Sequence, residues 1–420
     1  MSENKATKKL TIIGLGLIGS SMARGLKGKY HITGCNRNFA TTKKALADGV
    51  IDRAADKLQQ AVADAEIVVL ATPMGMYESI MNEISQYLQP GTIITDVGSV
   101  KTPAIFQVYK SMPPGVHFVP AHPIAGKETT GYEAGDAKLF AGKRVILTPL
   151  PKTPYEVNLE IENLWKELGA IPETMTAAEH DKIYAAISHV PQLLAYAYQM
   201  AVRHKKYNAV PEEEGEYKTF TRIAHSQPDI WVDIFQLNRA HIFKFLDKMF
   251  NGLTHIDKFC DQVELRQKLG GKPLNFKLKD DKKLDAAAVV FPALLGNLIL
   301  FCIEDEFESQ STRSFSAADI HASLAMLETP QEKKEIRNFA DYAGTGLRDF
   351  TVCSLYDVSE IVEGYAEEIQ LLKILLHRKI FEITVAIESD SAEQLKGKLL
   401  EANQLPVAES KRQTSKINPA

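Results

Sequence analysis

Three loops in the N-terminal third of the chain carry the groups best suited to chemistry. In Gly14-Leu15-Gly16-Leu17-Ile18-Gly19, three glycines stand at the spacing that turns a strand tightly into a helix. Gly14 permits the turn, Gly16 lets phosphates approach the backbone, and Gly19 lets helix pack on strand. The opening turn of that helix, with Leu17 and Ile18, then offers unpaired amides and a positive dipole end to an anion. The other two loops are Asp96-Val97-Gly98-Ser99-Val100-Lys101 and His122-Pro123-Ile124-Ala125-Gly126-Lys127-Glu128. A histidine just past a strand suits proton transfer, because imidazole titrates near neutrality, and Ser99 stands on the neighbouring loop.

These loops need a scaffold that brings them to one edge. Short β-rich runs supply it at 10–14, 30–36, 66–73, 91–97, 117–123 and 143–149. Helical spacing separates them over 20–26, 41–47 and 77–88. The alternation predicts βαβ units and a doubly wound, mostly parallel sheet, a Rossmann-type domain over 1–174. A dinucleotide would lie across its crevice, with Thr72-Pro73 beside it. At the end of the second strand, where an acidic residue would receive the ribose hydroxyls of NAD, stand Asn36 and Arg37. Loss of the carboxylate removes a repulsion and Arg37 can pair with a 2′-phosphate, which favours NADP over NAD.

After Thr174 the pattern changes to long segments with apolar residues at i, i+3 and i+4, as over 230–249. The α/β half is therefore followed by helical domains expected at 175–268 and 284–404, with a Lys-rich linker or exposed loop at 269–283 and a disordered tail at 405–420. The helical segments share a loose likeness. Ser188–Leu194 and later Tyr217–Arg222 echo Phe291–Leu295 and later Gly346–Val352, which suggests a degenerate duplication.

A net charge of −4 provides no basic footprint for nucleic acid or an anionic membrane. The four cysteines form no CxxC pair and read as reduced thiols of a cytoplasmic protein. No signal peptide is evident, and the apolar stretch 289–303 is too short and too interrupted to span a bilayer, so it reads as a buried helix.

In order along the chain, GLGLIGSS, DVGSVK, HPIAGKETTG, ILTP, ISHVPQ and FTRIAHSQPDIW resemble the prephenate dehydrogenase (cyclohexadienyl dehydrogenase) family over about residues 8–255. The resemblance implies a Rossmann-type domain followed by a helical dimerisation domain, with oxidative decarboxylation of prephenate to 4-hydroxyphenylpyruvate in tyrosine biosynthesis. It implies that His122 accepts the ring hydroxyl's proton and that Ser99 orients His122. Arg222 would hold a substrate carboxylate through its planar fork. Lys127 and Glu128 would flank the entrance, Trp231 would close it or sit in the core, and His189 reads equally as pocket wall or packed core.

The chain departs from the family before FTR, where a Gly-rich turn and an Asp are expected and Gly215–Phe220 stands instead. Those features recur later as Ala343–Thr351, with Val352 where Arg222 would align. This suggests either a homodimer or an internal pseudo-dimer in which the second helical copy covers the first. No βαββαβ pattern follows residue 284, so a regulatory ACT domain is not expected. Arogenate is the alternative substrate. A β-hydroxyacid or imine reductase is a more distant one, though such families use a helical-domain Lys as acid. A non-catalytic dinucleotide sensor would have no use for Ser99, His122 and Arg222 together.

Overall fold

The computed structural model describes residues 7–127, 129–203, 223–253 and 366–403, with short pieces at 272–273, 295–296, 299, 302 and 356–357. The chain forms two compact units, one of Met1–Ala185 with Asp233–His241, the other of Ala186–Val232 with Ile242–Ala420.

The first unit is built on six strands: β1 (Lys9–Ile13), β2 (His31–Cys35), β3 (Arg53–Ala55), β4 (Ile67–Leu70), β5 (Ile93–Asp96) and β6 (His117–Val119). They pair in the order β3-β2-β1-β4-β5-β6, every neighbour parallel. The order reverses between β1 and β4, which opens a crevice at their C-terminal ends. Helices α1 (Leu17–Leu26), α2 (Phe39–Ala47), α3 (Leu58–Val62), α4 (Tyr77–Ile84), α5 (Thr102–Tyr109) and α6 (Tyr155–Glu167) connect the strands or cover them. All four residues of β4, Ile-Val-Val-Leu, are buried, as expected of a strand covered on both faces.

Several features differ from expectation. The run at 117–123 is not one strand. Pro120 has no N–H to continue the ladder, so β6 ends at Val119 and the chain restarts as β7 (Ala121–Pro123) in a second sheet. There β7 pairs antiparallel with β8 (Arg144–Leu147), which pairs parallel with β9 (Ile171–Thr174). The run at 143–149 thus belongs to this smaller sheet, and His122 lies within a strand rather than past one. Two strands lie outside the expected runs: β9, and β3, a three-residue edge strand with no β-branched residue to announce it.

Beyond Thr174, α7 (Ala177–Tyr184) still belongs to the first unit. Its Thr176 side chain accepts from the Glu179 amide while Glu179 reaches back to the Thr176 amide, a reciprocal cap. A π-helical turn follows at Ala185–His189, just before Pro191, whose missing N–H removes a helical hydrogen bond. The second unit contains α8 (Val190–Arg203), α11 (Ala366–Glu388) and α12 (Ala392–Asn403). The expected helix over 230–249 is instead two, α9 (Pro228–Leu237) and α10 (Arg239–Leu253), broken at Asn238.

Helix α8 is buried almost all round, with Leu193, Leu194, Tyr196, Ala197 and Tyr198 fully covered. Helix α11 packs against it, and Leu372, Leu376, Ile380, Ile383 and Ile387 form α11's buried stripe. Of the expected buried helix at 289–303, Leu295, Ile299 and Cys302 are helical and buried. Lys272 and Pro273, expected in the linker, pair with Tyr356 and Asp357 as a short parallel bridge. The tail at 405–420 and the turn at Gly344–Asp349 lie outside the described residues. Among the described residues, no helix is long and apolar enough to cross a membrane.

Candidate active site

The glycine loop joins β1 to α1, and its three glycines are constrained differently. Gly14 has φ +100°, and a Cβ there would lie 2.4 Å from the Ala71 carbonyl oxygen at the end of β4. A Cβ on Gly19 would lie 1.9 Å from the Gly14 carbonyl oxygen. Both are obligatory for the fold. A Cβ on Gly16 meets nothing within 4 Å. Gly16 also caps α1 without a side-chain acceptor, so the first-turn amides, with half-buried Leu17 and Ile18, border open space. Across the crevice, the Thr72 hydroxyl is buried without a hydrogen-bond partner. An open cradle beside a helix N-terminus, with an orphaned hydroxyl opposite, fits a dinucleotide's pyrophosphate.

Asn36 follows β2 and its side-chain oxygen accepts from the Leu15 amide at 3.1 Å, tying the second strand's end to the glycine loop. Arg37 beside it is exposed, as is Pro73.

His122 lies half-buried on β7, and its Nδ1 is 2.8 Å from Nε2 of His180 on α7. Nδ1 of His180 is in turn 2.9 Å from Oδ1 of Asp181. Asp181 is itself anchored, because Oδ1 accepts from the Lys101 amide at 2.6 Å and Oδ2 from the Thr102 amide at 2.8 Å. Asn238 donates to the Asp181 carbonyl at 2.8 Å. Tyr184 stacks on His180 and meets His122 edge-on. Burial holds the His180 imidazolium well out of favour despite Asp181 beside it, so the ring's pKa is lowered. Burial pushes the Asp181 carboxyl up, but His180 and the Lys101 and Thr102 contacts outweigh it, and the carboxyl falls below its usual range.

Beneath this row lies a fully buried ion pair. Lys101 Nζ donates to Asp96 Oδ2 at 2.6 Å and to the Ala121 carbonyl at 2.7 Å. Asp96 also accepts from the amides of Gly98 and Ala121 and from the Tyr77 hydroxyl. The first and last residues of DVGSVK therefore clamp the residue before His122. Ser99 sits half-buried in that loop.

Lys127, on the exposed loop after β7, pairs with Asp136 at 2.8 Å. Glu128 and Arg222 lie outside the described residues. In the second unit His189 is buried and packs edgewise on half-buried Trp231, ring centroids 6.4 Å apart.

His180 and Asp181 escape a reading of motifs, whereas Asp96 and Lys101 belong to a motif that gives no sign of their pairing. The signal for the first two is an Asp after a His inside the first turns of a helix, a pattern that an exposed amphipathic helix also shows. Lys101 and Asp96 stand in plain view, but only their complete burial separates clamp from surface charge.

The chain is similar to known proteins over much of its length. Residues 22–173 match the family model described as prephenate dehydrogenase, nucleotide-binding domain, and residues 176–268 the one described as prephenate dehydrogenase, dimerization domain. A cyclohexadienyl dehydrogenase of Zymomonas mobilis is 34% identical over 59% of this chain and 87% of that protein. A Bacillus subtilis prephenate dehydrogenase is 32% identical over 62% of this chain and 71% of that protein. Among solved structures, prephenate dehydrogenase from A. aeolicus, in complex with hydroxyphenyl propionate and NAD+, superposes with a TM-score of 0.55 at 28% identity. That match covers 64% of this chain and 94% of the other. With both halves of its matched region falling to the same family, and relatives above 30% identity along most of their length, the chain belongs to the prephenate dehydrogenase family.

Proposed function

We infer that the chain oxidises and decarboxylates prephenate to 4-hydroxyphenylpyruvate, acting in tyrosine biosynthesis in the cytoplasm. The observation that carries this reading is His122, held on β7 by the buried Asp96–Lys101 clamp and backed by His180. A nucleotide sensor needs no such group.

The bound nicotinamide would supply the hydride acceptor. His122 takes the proton of the ring hydroxyl as the carbon bearing it loses hydride. The carbon–carboxylate bond then breaks, carbon dioxide leaves, and its electron pair aromatises the ring. His122 returns the proton to the phenolate oxygen. Because aromatisation drives the reaction, the protein's work is chiefly positioning. Ser99, half-buried in the loop after β5, assists in orienting His122. Arg222 pairs with a substrate carboxylate, and Lys127, Glu128, His189 and Trp231 belong to the walls or entrance of the substrate site.

The cofactor is NADP rather than NAD. With Asn36 bonded to the Leu15 amide, no carboxylate stands where a 2′-phosphate would be repelled, and exposed Arg37 is placed to pair with it. Gly14, Gly16, Gly19 and the amides of Leu17 and Ile18 hold the pyrophosphate, with Thr72-Pro73 opposite.

Steady-state turnover of prephenate and arogenate, each with NADP and NAD, tests these assignments. Prephenate with NADP is expected to give the highest kcat/KM, and no turnover of either substrate would refute the reading. His122→Asn should lower kcat by about 10²–10⁴-fold with dinucleotide affinity retained. Arg222→Ala should raise KM by roughly 10–100-fold, the equivalent of a lost charge-assisted hydrogen bond. The preference for NADP should disappear in Arg37→Ala.

The packing of α11 on α8 further supports an internal pseudo-dimer, in which the C-terminal helices cover part of the region whose family model is described as a dimerization domain.

A further inference from the structure

We propose that His180 and Asp181 are positioning residues that fix the tautomer of His122 and stabilise the imidazolium it forms during proton transfer. The proposal rests on His122 being the proton acceptor.

The hydrogen bonds allow one consistent assignment. Both Asp181 oxygens accept backbone amides, from Lys101 and Thr102, and these donors favour the ionised carboxylate, which can only accept. Nδ1 of His180, 2.9 Å from Oδ1, must therefore donate. A neutral His180 then presents a lone pair on Nε2, and Nδ1 of His122, 2.8 Å away, must donate to it. The lone pair of His122 is thereby placed on Nε2, on the side of the ring opposite His180. When Nε2 takes the substrate's proton, the charge is met by the His180 lone pair, with the Asp181 carboxylate one ring behind. A serine protease triad uses the same logic with one imidazole; here a second imidazole carries the effect to a carboxylate too distant to reach His122.

Neither group has an evident structural need for the other to be charged. Asp181 would serve the Lys101 and Thr102 amides without a histidine beside it. His180 is fully buried, where an apolar residue would cost less. The charged groups that act on His180 are Asp181, Lys101 and Asp96, and Tyr184 stacks on it and meets His122 edge-on. The Asp96–Lys101 pair is neutral as a unit, which leaves Asp181 as the net charge among the groups acting on His180.

Two substitutions separate positioning from packing. His180→Asn keeps a donor for Asp181 but is too short to receive Nδ1 of His122. His180→Gln reaches His122 with an amide oxygen that can accept that proton. In the full chain without substrate, the pH dependence of diethylpyrocarbonate modification at His122, read by mass spectrometry, reports the ring's titration. In His180→Asn it should move roughly one pH unit lower, because an acceptor that favours the imidazolium is lost. kcat at the plateau should fall about 100-fold with KM for prephenate changed less than about threefold. His180→Gln should restore the titration and bring kcat within about tenfold of the parent. An unmoved titration in His180→Asn overturns the proposal, and so do equal losses in the two variants, since both remove the same ring. Failure of the parent enzyme on prephenate and arogenate would instead overturn the substrate assignment, leaving the titration of His122 still able to decide this one.

Discussion

Lys101 and Asp96 form an ion pair 2.6 Å long in which neither side chain has any exposure to solvent. Burial pulls the Lys101 ammonium's pKa down, and Asp96 acts against that fall. Two buried charges are tolerated because further hydrogen bonds support the pair, including both backbone polar groups of Ala121. The pair is thus the fastening between β5 and β7, and it fixes the strand that carries His122.

Lys101→Met should accordingly damage stability and activity together. Removing one member of a buried pair leaves an uncompensated charge, at a cost of about 3–5 kcal/mol. Urea unfolding should show a lowered midpoint, and kcat should fall because Ala121 loses its anchor. A midpoint unchanged from the parent would show that the pair contributes nothing to the fold.

The buried histidine makes a separate prediction about acid. The unfolded chain protonates His180 near 6.5, whereas the folded ring resists until lower pH. Between those values the unfolded state binds more protons, so stability falls as pH drops below about 6.5, by at most roughly 1.4 kcal/mol per pH unit for this one group. Asp181 adds a loss further down, because its contribution is complete above its ordinary 3.8 and drains away as pH falls through its depressed value. Urea midpoints from pH 7 to 5 should therefore slope less steeply in His180→Asn than in the parent. Parallel slopes would mean that other histidines set the acid limit.

The glycine loop predicts opposite outcomes for two like substitutions. Gly16→Ala adds a methyl to open space at φ −77°, which any residue adopts, so unfolding free energy should change by less than about 0.5 kcal/mol. The same methyl enters the pyrophosphate cradle, and dinucleotide affinity should weaken roughly tenfold or more, about 1.4 kcal/mol. Gly19→Ala presses on the Gly14 carbonyl at 1.9 Å and should destabilise the fold itself. Thermal unfolding beside dinucleotide titration checks both. Equal loss of stability in the two would show that the cradle is not open.

What the sequence reveals and conceals follows from the range of each interaction. Gly14 to Gly19 act on their own turn, so spacing alone exposes them. The DVGSVK loop is likewise marked by its own composition, whereas His122 stands inside β7 rather than past the end of a strand. Pro120 is equally local and marks the break between the two sheets, but the apolar run around it outweighs one missing donor in a reading of periodicity. His180 is different. It meets His122 across 58 residues, and nothing in α7's own pattern of charges reveals that this face is inward. Asn238 is hidden in the same way, because it interrupts an apolar period to reach the Asp181 carbonyl.

The C-terminal helices bear on how many chains make an enzyme. A helix as apolar as α8 must be covered, and the family model for this region is described as a dimerization domain. Here α11 from the same chain provides cover, pressing Leu376, Ile380 and Ile383 inward. If this replaces a second subunit, light scattering at micromolar concentration should give the mass of one chain. Ile383→Asp should then destabilise the fold by roughly 3 kcal/mol or more, through an unpaired charge in a buried stripe. The opposite face of α11 carries Ile374, Phe381 and Val385, all exposed, which supplies a second apolar surface. Phe381→Glu, placed there, should leave both mass and activity as they are. A two-chain mass would overturn the internal pseudo-dimer, and conversion to one chain by Phe381→Glu would locate the interface on α11 instead.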